Sequence, residues 1–207
     1  MNKMSKIYLV LDRSGSMEPY VNSTVKGVNS FISEQSDDTK FTIILFNDSI
    51  KTVSSNEHKE NVRPLSGINY RPQGGTALLD AIGYTLKQAA DDEPKLWADQ
   101  DESQITVVIL TDGVENCSKE HTMSSIRETI QFNRLKGWNF IFMGANQDAF
   151  EVASAIGIQR EATLDFDVNR IETAISSASS AISRMSTGES QTIEFTPIER
   201  TMSSQVV

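Results

Sequence analysis

The first buried segment of this chain ends in a cluster of oxygen-bearing side chains. Five apolar residues, Ile7 to Leu11, have the composition of a buried strand. They are followed at once by Asp12, Ser14 and Ser16, and a glycine between the two serines allows a tight bend. In a bend, the side-chain oxygens of these three residues, which stand at every second position, can turn toward one point. Oxygen ligands suit Mg²⁺, Mn²⁺ or Ca²⁺. An ordinary Ser/Gly turn is the alternative interpretation of this segment taken alone.

Strand-like and helix-like patterns alternate along the chain. Apolar-rich runs at 41–46 and 105–110 indicate further buried strands, and 50–53 is typical of a short edge strand. Between the strands, apolar residues recur at helical spacing. This alternation predicts an α/β fold with a doubly wound, mostly parallel central sheet flanked by helices on both faces. We expect one domain over residues 1–185 and a polar, flexible C-terminal tail over 186–207.

Two more segments place oxygen ligands where a strand or a helix meets a loop. A glycine pair precedes Thr76, which opens the next helical pattern, and a helix N-cap is the alternative role of this threonine. The strand 105–110 runs into Thr111-Asp112-Gly113. Ligands bind beyond the carboxyl ends of the strands in open α/β sheets. We therefore expect the candidate metal ligands to meet at that edge: Asp12, Ser14, Ser16, Thr76 and Asp112.

The order and spacing of these five residues resemble the von Willebrand factor type A (vWA) family and its metal-ion-dependent adhesion site. The family pattern is Asp-x-Ser-x-Ser, then a distant Thr, then a distant Asp, and the chain has a match for each element. The segments DRSGSM, GGTAL and TDG, and also residues 142–149, resemble small bacterial and phage members with a single domain. The resemblance covers roughly residues 5–185.

The resemblance implies a function as well as a fold. Members of the family bind a Glu or Asp carboxylate of a partner protein at the open coordination position of the metal. For this chain, it implies a metal-dependent adhesion or adaptor module in which Mg²⁺, or alternatively Mn²⁺ or Ca²⁺, bridges to an acidic residue of a partner. Small members often work beside AAA+ ATPases, so the resemblance also implies such an ATPase or another assembly as the partner.

Specificity would come from the loop residues around the metal. We expect this rim to contact the partner, and ordinary exposed loop residues are the alternative interpretation of each member. The rim residues predicted from their positions in the loops are Arg13, Met17, Tyr20, Arg71, Gln73, Glu115, Asn116 and Asn146.

Composition and charge narrow the classes of function. The 207 residues carry a net charge of −9 and contain no Lys/Arg cluster, which argues against a nucleic-acid partner. The sequence has no run of eighteen apolar residues, so it predicts no membrane span. A single cysteine, Cys117, and the lack of a secretory signal favour a cytoplasmic location.

An enzyme is the first rival class. Hydrolysis by Ser14 or Ser16 lacks a placed base, because the only histidines, His58 and His121, lie in polar segments. A Mg²⁺-dependent phosphatase of the haloacid dehalogenase type would need a second carboxylate where the chain has Ser14. We therefore predict no enzymatic activity. The second rival is a structural component of a particle or complex, in which the metal only stabilises its own loops.

Two connecting segments are predicted to lack regular structure. The polar stretch 54–75 is expected to be irregular. Acidic residues cluster between 91 and 102, on both sides of Trp97 and next to Pro94. We interpret this acidic insert as a solvated connection to the central strand, with a docking surface as the alternative.

Overall fold

Six strands form the central sheet of the computed structural model, which describes residues 4–98, 103–145 and 148–204. Their spatial order is β3-β2-β1-β4-β5-β6, and every neighbouring pair is parallel except the edge pair of β2 and β3. The mostly parallel sheet predicted from the alternating pattern is confirmed. In chain order the strands are β1 (Ser5–Asp12), β2 (Thr39–Phe46), β3 (Ile50–His58), β4 (Gln104–Thr111), β5 (Asn139–Gly144) and β6 (Thr163–Asp165).

Helices flank this sheet in two groups. In the described part of the chain they are α1 (Val21–Glu34), α2 (Leu78–Ala98), α3 (Met123–Leu135), α4 (Ala149–Ala155), α5 (Ile171–Ser186) and α6 (Pro197–Ser204). One group consists of α1, α5 and α6, and the other of α2, α3 and α4, with contacts between successive members of each group. Among these described helices, none is both long and apolar enough to cross a bilayer.

The two central strands bring their carboxyl ends to the same place. β1 and β4 are adjacent and parallel, and Leu11 pairs with Leu110 in their register. Both strands are buried along almost their whole length, as expected for a parallel sheet covered on both faces. Asp12 and Thr111, which follow the paired leucines, therefore stand next to each other at one edge of the sheet. This register joins two segments that lie far apart in the sequence.

β3 is longer than the sequence predicts. It was expected to end near Val53, with an irregular stretch beyond, but it continues to His58. It pairs antiparallel with β2 and contains an irregularity in register, near which Asn56 adopts a φ of 51°. The N–H of Asn56 donates to Thr42 Oγ1 at 3.0 Å. Pairing with β2 therefore orders a polar segment whose composition alone does not indicate a strand.

The first part of the acidic insert is helical, which corrects the prediction of an irregular connection. α2 continues past Pro94 to Ala98, and the insert beyond that residue lies largely outside the described residues. Two acidic side chains of this helix accept hydrogen bonds from other elements. Tyr8 Oη donates to Asp92 Oδ2 at 2.8 Å, and Lys136 Nζ donates to Glu93 Oε2 at 2.7 Å. These distant donors, which a sequence pattern does not show, fasten the part of the helix before Pro94 to other elements.

The prediction of a flexible C-terminal tail is wrong in its described part, because the segment from Ile193 through α6 packs against the domain. Ile193 and Phe195 belong to the hydrophobic core, each with 5% of its surface exposed. The Phe195 N–H donates to the carbonyl of Glu161 at 2.9 Å, and α6 follows. Two apolar residues in a polar stretch are too weak a sequence signal to predict packing, because they are buried only where other elements of the fold form a surface for them. The limit of the domain at residue 185 stays a prediction.

A bidentate ion pair also fastens this segment. Arg184 donates to both carboxylate oxygens of Glu199 at 2.7 and 2.8 Å, and the Thr196 N–H donates to the same carboxylate at 2.7 Å. Burial raises the pKa of Glu199, but the hydrogen bonds from Arg184 and Thr196 outweigh it and lower the pKa below its usual value. The ionised form of Glu199 therefore stabilises the fold.

We expect this contribution to depend on pH in the acid range. Because the folded pKa of Glu199 is lowered, its stabilisation is fully present above the pKa of unfolded glutamate, about 4.3, and is lost as the pH falls through the folded pKa. Glu199→Gln should lower the free energy of unfolding by about 1 kcal/mol at pH 7, since the pair keeps some contact with solvent. Urea denaturation of both proteins should show this difference shrinking below pH 4. A difference that is unchanged there would contradict the prediction.

Candidate metal site

Four of the five predicted ligands are joined by a chain of hydrogen bonds at the carboxyl edge of the sheet. The Ser14 N–H donates to Asp12 Oδ1 at 2.6 Å, and the hydroxyls of Ser14 and Ser16 lie 3.1 Å apart. The Ser16 hydroxyl donates to Asp112 Oδ1 at 2.6 Å. The bend after β1 therefore connects the carboxylate at the end of β1 to the carboxylate that follows β4.

Thr76, the fifth predicted ligand, borders the same space. A Cβ placed on Gly113 would lie 2.7 Å from Thr76 Oγ1 and 3.6 Å from Asp12 Oδ2. Thr76 is buried, with 2% of its surface exposed, in the loop just before α2. Gly113 is thus a position where a side chain would intrude between a threonine hydroxyl and a carboxylate. The structure brings all five predicted residues together around this small space.

Asp12 is the most deeply buried carboxylate of the cluster. Its Oδ2 accepts a hydrogen bond from the Thr111 hydroxyl at 2.6 Å, while its Oδ1 accepts the Ser14 N–H. Burial raises the pKa of Asp12, and the hydrogen bonds from Thr111 and Ser14 offset only part of this effect. The charge of Asp112 raises the same pKa further. Asp12 is therefore a buried acid whose charged form needs positive charge nearby.

Asp112 carries an unpaired oxygen. Its Oδ1 accepts the Ser16 hydroxyl, but its Oδ2 is buried and has no hydrogen-bond partner among the described residues. Burial raises the pKa of Asp112 too, with the hydrogen bond from Ser16 acting in the opposite direction. Most buried polar atoms have a partner, and an ion or an ordered water is one of the reasons for an exception. This oxygen therefore points to a bound group.

The donors present suit a hard cation. Each carboxylate accepts a hydroxyl proton, Asp12 from Thr111 and Asp112 from Ser16. Because Ser16 has donated its only proton, its oxygen accepts the Ser14 hydroxyl at 3.1 Å, which leaves one lone pair on Ser16 and the lone pairs of Ser14 for a ligand. The described residues hold no cluster of three or more His, Cys, Asp or Glu side chains arranged for a metal. A metal at this edge would therefore rely on hydroxyl oxygens as well as carboxylates. Oxygen-only donors favour Mg²⁺, Mn²⁺ or Ca²⁺ over metals that prefer thiolates.

Backbone contacts hold the two site loops against each other. Gly15 N donates to the Gly74 carbonyl at 3.1 Å, and Gln73 N donates to the Arg13 carbonyl at 2.9 Å. Gly74 has a φ of +73°, a conformation that favours glycine, so the first residue of the glycine pair is needed here for its backbone. The buried Tyr70 hydroxyl donates to the carbonyl of Asp12. The loop before α2 therefore fixes the end of β1 and the bend after it through three hydrogen bonds.

Thr111 and Tyr70 are site residues that the sequence analysis did not single out. Thr111 immediately precedes Asp112 at the end of an apolar strand, and a polar residue at that point was the available signal. Tyr70 lies in a polar loop and gave no comparable signal, because its contact with Asp12 spans 58 positions of the chain.

Met17, one of the predicted rim residues, is buried, so this prediction is wrong. A 3₁₀ helix over Gly15–Tyr20 turns the Met17 side chain into the hydrophobic core, with none of its surface exposed. Burial of this apolar side chain in the core is more favourable in free energy than its exposure in a loop. Tyr20 is half-buried and packs against the same core.

The other rim residues differ in their exposure and in their partners. Arg71 and Gln73 are exposed in the loop before α2. Arg13 is half-buried and donates to Ser49 Oγ at 3.1 Å. Glu115 and Asn116 accept hydrogen bonds from backbone N–H groups near the start of α2. Asn146 lies outside the described residues.

Replacing the Thr111 hydroxyl should weaken the cluster even without metal. Thr111→Val keeps the shape of the side chain but removes the donor to Asp12 Oδ2. We expect the free energy of unfolding in EDTA to fall by about 1–3 kcal/mol, because a buried acceptor loses its partner. Thr111→Ser, which keeps the hydroxyl, is the control for this variant. Equal stability of Thr111→Val and wild type in chemical denaturation would contradict the assignment.

The chain belongs to the von Willebrand factor type A family. The model of the von Willebrand factor type A domain matches residues 6–177, which is most of the sequence. This membership agrees with the sheet order, the flanking helices and the position of the candidate site at the carboxyl edge. No curated protein is similar enough in sequence to count as a match.

Solved structures of the same fold come from diverse organisms. A von Willebrand factor type A protein from Catenulispora acidiphila has a TM-score of 0.62 at 13% identity, covering 86% of this chain and 42% of its own. The manganese-loaded TRAP protein of Plasmodium vivax has a TM-score of 0.55 at 19% identity. The match covers 82% of this chain and 70% of the TRAP chain. Proximal thread matrix protein 1 of the mussel byssus, with a zinc-occupied adhesion motif, has a TM-score of 0.58 at 16% identity. The match covers 84% of this chain and 44% of the byssus protein chain. The chain thus spans less than half of two of these proteins.

Proposed function

We propose that this domain is a metal-dependent protein-binding module of the adhesion or adaptor kind. The proposed ligand set is Asp12, Ser14, Ser16, Thr76 and Asp112, with Mg²⁺ as the first candidate ion and Mn²⁺ or Ca²⁺ as alternatives. The ion would supply an electrophilic position for an Asp or Glu carboxylate of a partner protein. The protein's own carboxylates would orient the hydroxyls and balance part of the charge.

The buried, unpartnered Oδ2 of Asp112 is the observation that carries this proposal. Two carboxylates with raised pKa values lie close together, and the hydrogen bonds they accept come from neutral groups. A divalent cation would compensate both charges at once, which a water molecule cannot do. The manganese-loaded TRAP protein and the zinc-occupied adhesion motif of the mussel byssus protein support the same interpretation by analogy of fold.

The proposal assigns no catalytic role to the site. A hydrolase would need a nucleophile with a base in hydrogen-bonding distance. The hydroxyls of Ser14 and Ser16 contact each other and a carboxylate that is already part of the ligand set. The resemblance to small bacterial and phage members makes an AAA+ ATPase, or another assembly, the first candidate for the partner that supplies the acidic residue.

A structural role is the competing proposal. In that case the cation would only stabilise the loops after β1, before α2 and after β4, as part of a particle or complex. The hydrogen bonds that join these loops to one another make this role physically reasonable. The two roles differ in whether a partner carboxylate contacts the metal.

Metal binding and partner binding should be measured separately. Calorimetric titration of Mg²⁺ and Mn²⁺ into wild type and Ser14→Ala tests the ligand set first. A pull-down from lysate of the source cells then compares wild type in Mg²⁺, wild type in EDTA, and Ser14→Ala in Mg²⁺. A partner retained only by wild type in Mg²⁺, and lost when its acidic residue is mutated, would support bridging.

Other outcomes contradict parts of the proposal. Wild type that binds Mg²⁺ but retains no metal-dependent partner would favour the structural role. Equal metal affinity of wild type and Ser14→Ala would overturn the ligand set. No binding of either ion to wild type would overturn the metal site itself.

A further inference from the structure

Asn116 holds both backbone polar groups of Thr76. Its Oδ1 accepts the Thr76 N–H at 3.0 Å, and its own N–H donates to the Thr76 carbonyl at 3.1 Å. Thr76 lies in the loop that precedes α2, so it has no helix hydrogen bond of its own at these groups. The two contacts fix the peptide planes on both sides of the Thr76 Cα, and therefore the direction of its side chain.

Gly75 makes this contact sterically feasible. A Cβ on Gly75 would lie 2.9 Å from Asn116 Oδ1 and 3.1 Å from Cys117 Sγ. Contacts this short force the neighbouring atoms to move. The second glycine of the pair is therefore needed for the close approach of the loop after β4, whereas Gly74 is needed for its positive φ.

The loop that carries Asn116 is itself fastened to the start of α2. The Glu115 carboxylate accepts the N–H groups of Leu79 (2.9 Å), Cys117 (3.0 Å) and Ser118 (2.8 Å). In the opposite direction, the Asp80 carboxylate accepts three successive backbone N–H groups, those of residues 119–121, at 2.7 to 2.9 Å. Two carboxylates thus lock this loop and this helix together, which gives Asn116 a rigid base.

We propose that Asn116 is a positioning residue of the metal site, and not a contact residue of the partner-binding rim. It would hold Thr76 in the orientation that presents its hydroxyl to the ion, without touching the ion. This inference rests on the proposed metal-binding function. Removing a residue that orients a metal ligand through hydrogen bonds typically lowers metal affinity about 10–100-fold. Asn116 therefore contributes to affinity for the cation before any partner binds.

The test measures Mg²⁺ affinity and stability in EDTA as separate quantities. Asn116→Ala should bind Mg²⁺ about tenfold more weakly than wild type in calorimetric titration. Asn29→Ala is the matched control, because Asn29 holds the N–H and the carbonyl of Leu65 through its side-chain amide, at 2.9 and 3.0 Å, and does not contact the site residues. It should lose stability in EDTA but keep the Mg²⁺ affinity of wild type.

Two further variants separate positioning from a general effect on folding. Asn116→Asp keeps an oxygen acceptor for the Thr76 N–H and should restore Mg²⁺ binding to within about threefold of wild type. Gly75→Ala disturbs the same contact from the other side and should weaken Mg²⁺ binding as Asn116→Ala does. Mg²⁺ affinity of Asn116→Ala equal to wild type, or an Asp variant as weak as Ala, would overturn the inference. Wild type without Mg²⁺ affinity would instead overturn the proposed function.

Discussion

In EDTA, Asp112→Asn is expected to be at least as stable as wild type, whereas in excess Mg²⁺ wild type is expected to be clearly more stable than the variant. The reason is the buried carboxylate of Asp112, whose Oδ2 has no partner and whose pKa is raised by burial. Asparagine removes the charge and keeps the shape, so the variant avoids the cost of burying an uncompensated anion.

The metal reverses this order of stability. A ligand that binds only the folded state adds about 2.7 kcal/mol when its concentration is 100 times its dissociation constant. For a domain of this size, that corresponds to an increase in melting temperature of roughly 5–11 °C. Asparagine offers no charge to hold the ion, so most of this increase should be lost. Thermal unfolding of wild type and Asp112→Asn, each with Mg²⁺ and with EDTA, measures the four melting temperatures.

Asp38→Asn is the control for the change of net charge. Asp38 is exposed and lies just before β2, at the opposite edge of the sheet from the candidate site. This variant should keep the full stabilisation by Mg²⁺. An equal Mg²⁺-induced increase in Asp112→Asn and wild type would show that Asp112 does not belong to the metal site. A loss of stability in EDTA of several kcal/mol would show that its charge is compensated in another way.

Phe195→Ala is expected to lower the free energy of unfolding by about 3 kcal/mol, although Phe195 lies in a segment that the sequence marks as a polar tail. Removing a buried phenylalanine side chain costs about 3–5 kcal/mol, because apolar contacts are lost and a cavity remains. Phe195 is 5% exposed, belongs to the hydrophobic core, and has the Arg200 guanidinium 5.7 Å from its ring centroid. The lower end of the range is expected for a residue at the margin of the core.

Ile198→Ala provides a matched control on the same segment. Ile198 is 70% exposed on α6, so its truncation should change stability by less than about 0.5 kcal/mol. Urea denaturation with fitted slopes distinguishes a loss of stability from a change in the surface exposed on unfolding. If Phe195→Ala and Ile198→Ala are equally stable, the segment does not pack on the domain in solution.

The sequence predicts the architecture well for a physical reason. Strands of a parallel sheet that is covered on both faces must be apolar along their length, and β1 and β4 show such runs directly. The oxygen-bearing residues that follow these strands have to lie at the carboxyl edge of the sheet once the strands are parallel. The α/β fold and the family are confirmed. The structure places the five candidate residues close together, and their role as metal ligands stays a prediction.

The sequence predicts loops and termini less well, because their structure depends on distant partners. Met17 stands in a loop pattern, yet a 3₁₀ helix turns it into the core. α2 continues past Pro94 to Ala98, and Tyr8 and Lys136 donate to the two acidic side chains just before that proline. No periodicity records these contacts, since the partners are more than 40 positions away in the chain.

Local sequence by itself determined the central strands β1 and β4, the bend after β1 and the identity of the candidate ligands. Each of these follows from the apolar character or the side-chain chemistry of adjacent residues. Only the tertiary structure decided which groups support those ligands: the Thr111 hydroxyl on Asp12, and Asn116 on both backbone groups of Thr76. Such hydrogen bonds depend on atomic positions set by the packing of the whole sheet, and no pattern in a single sequence encodes them.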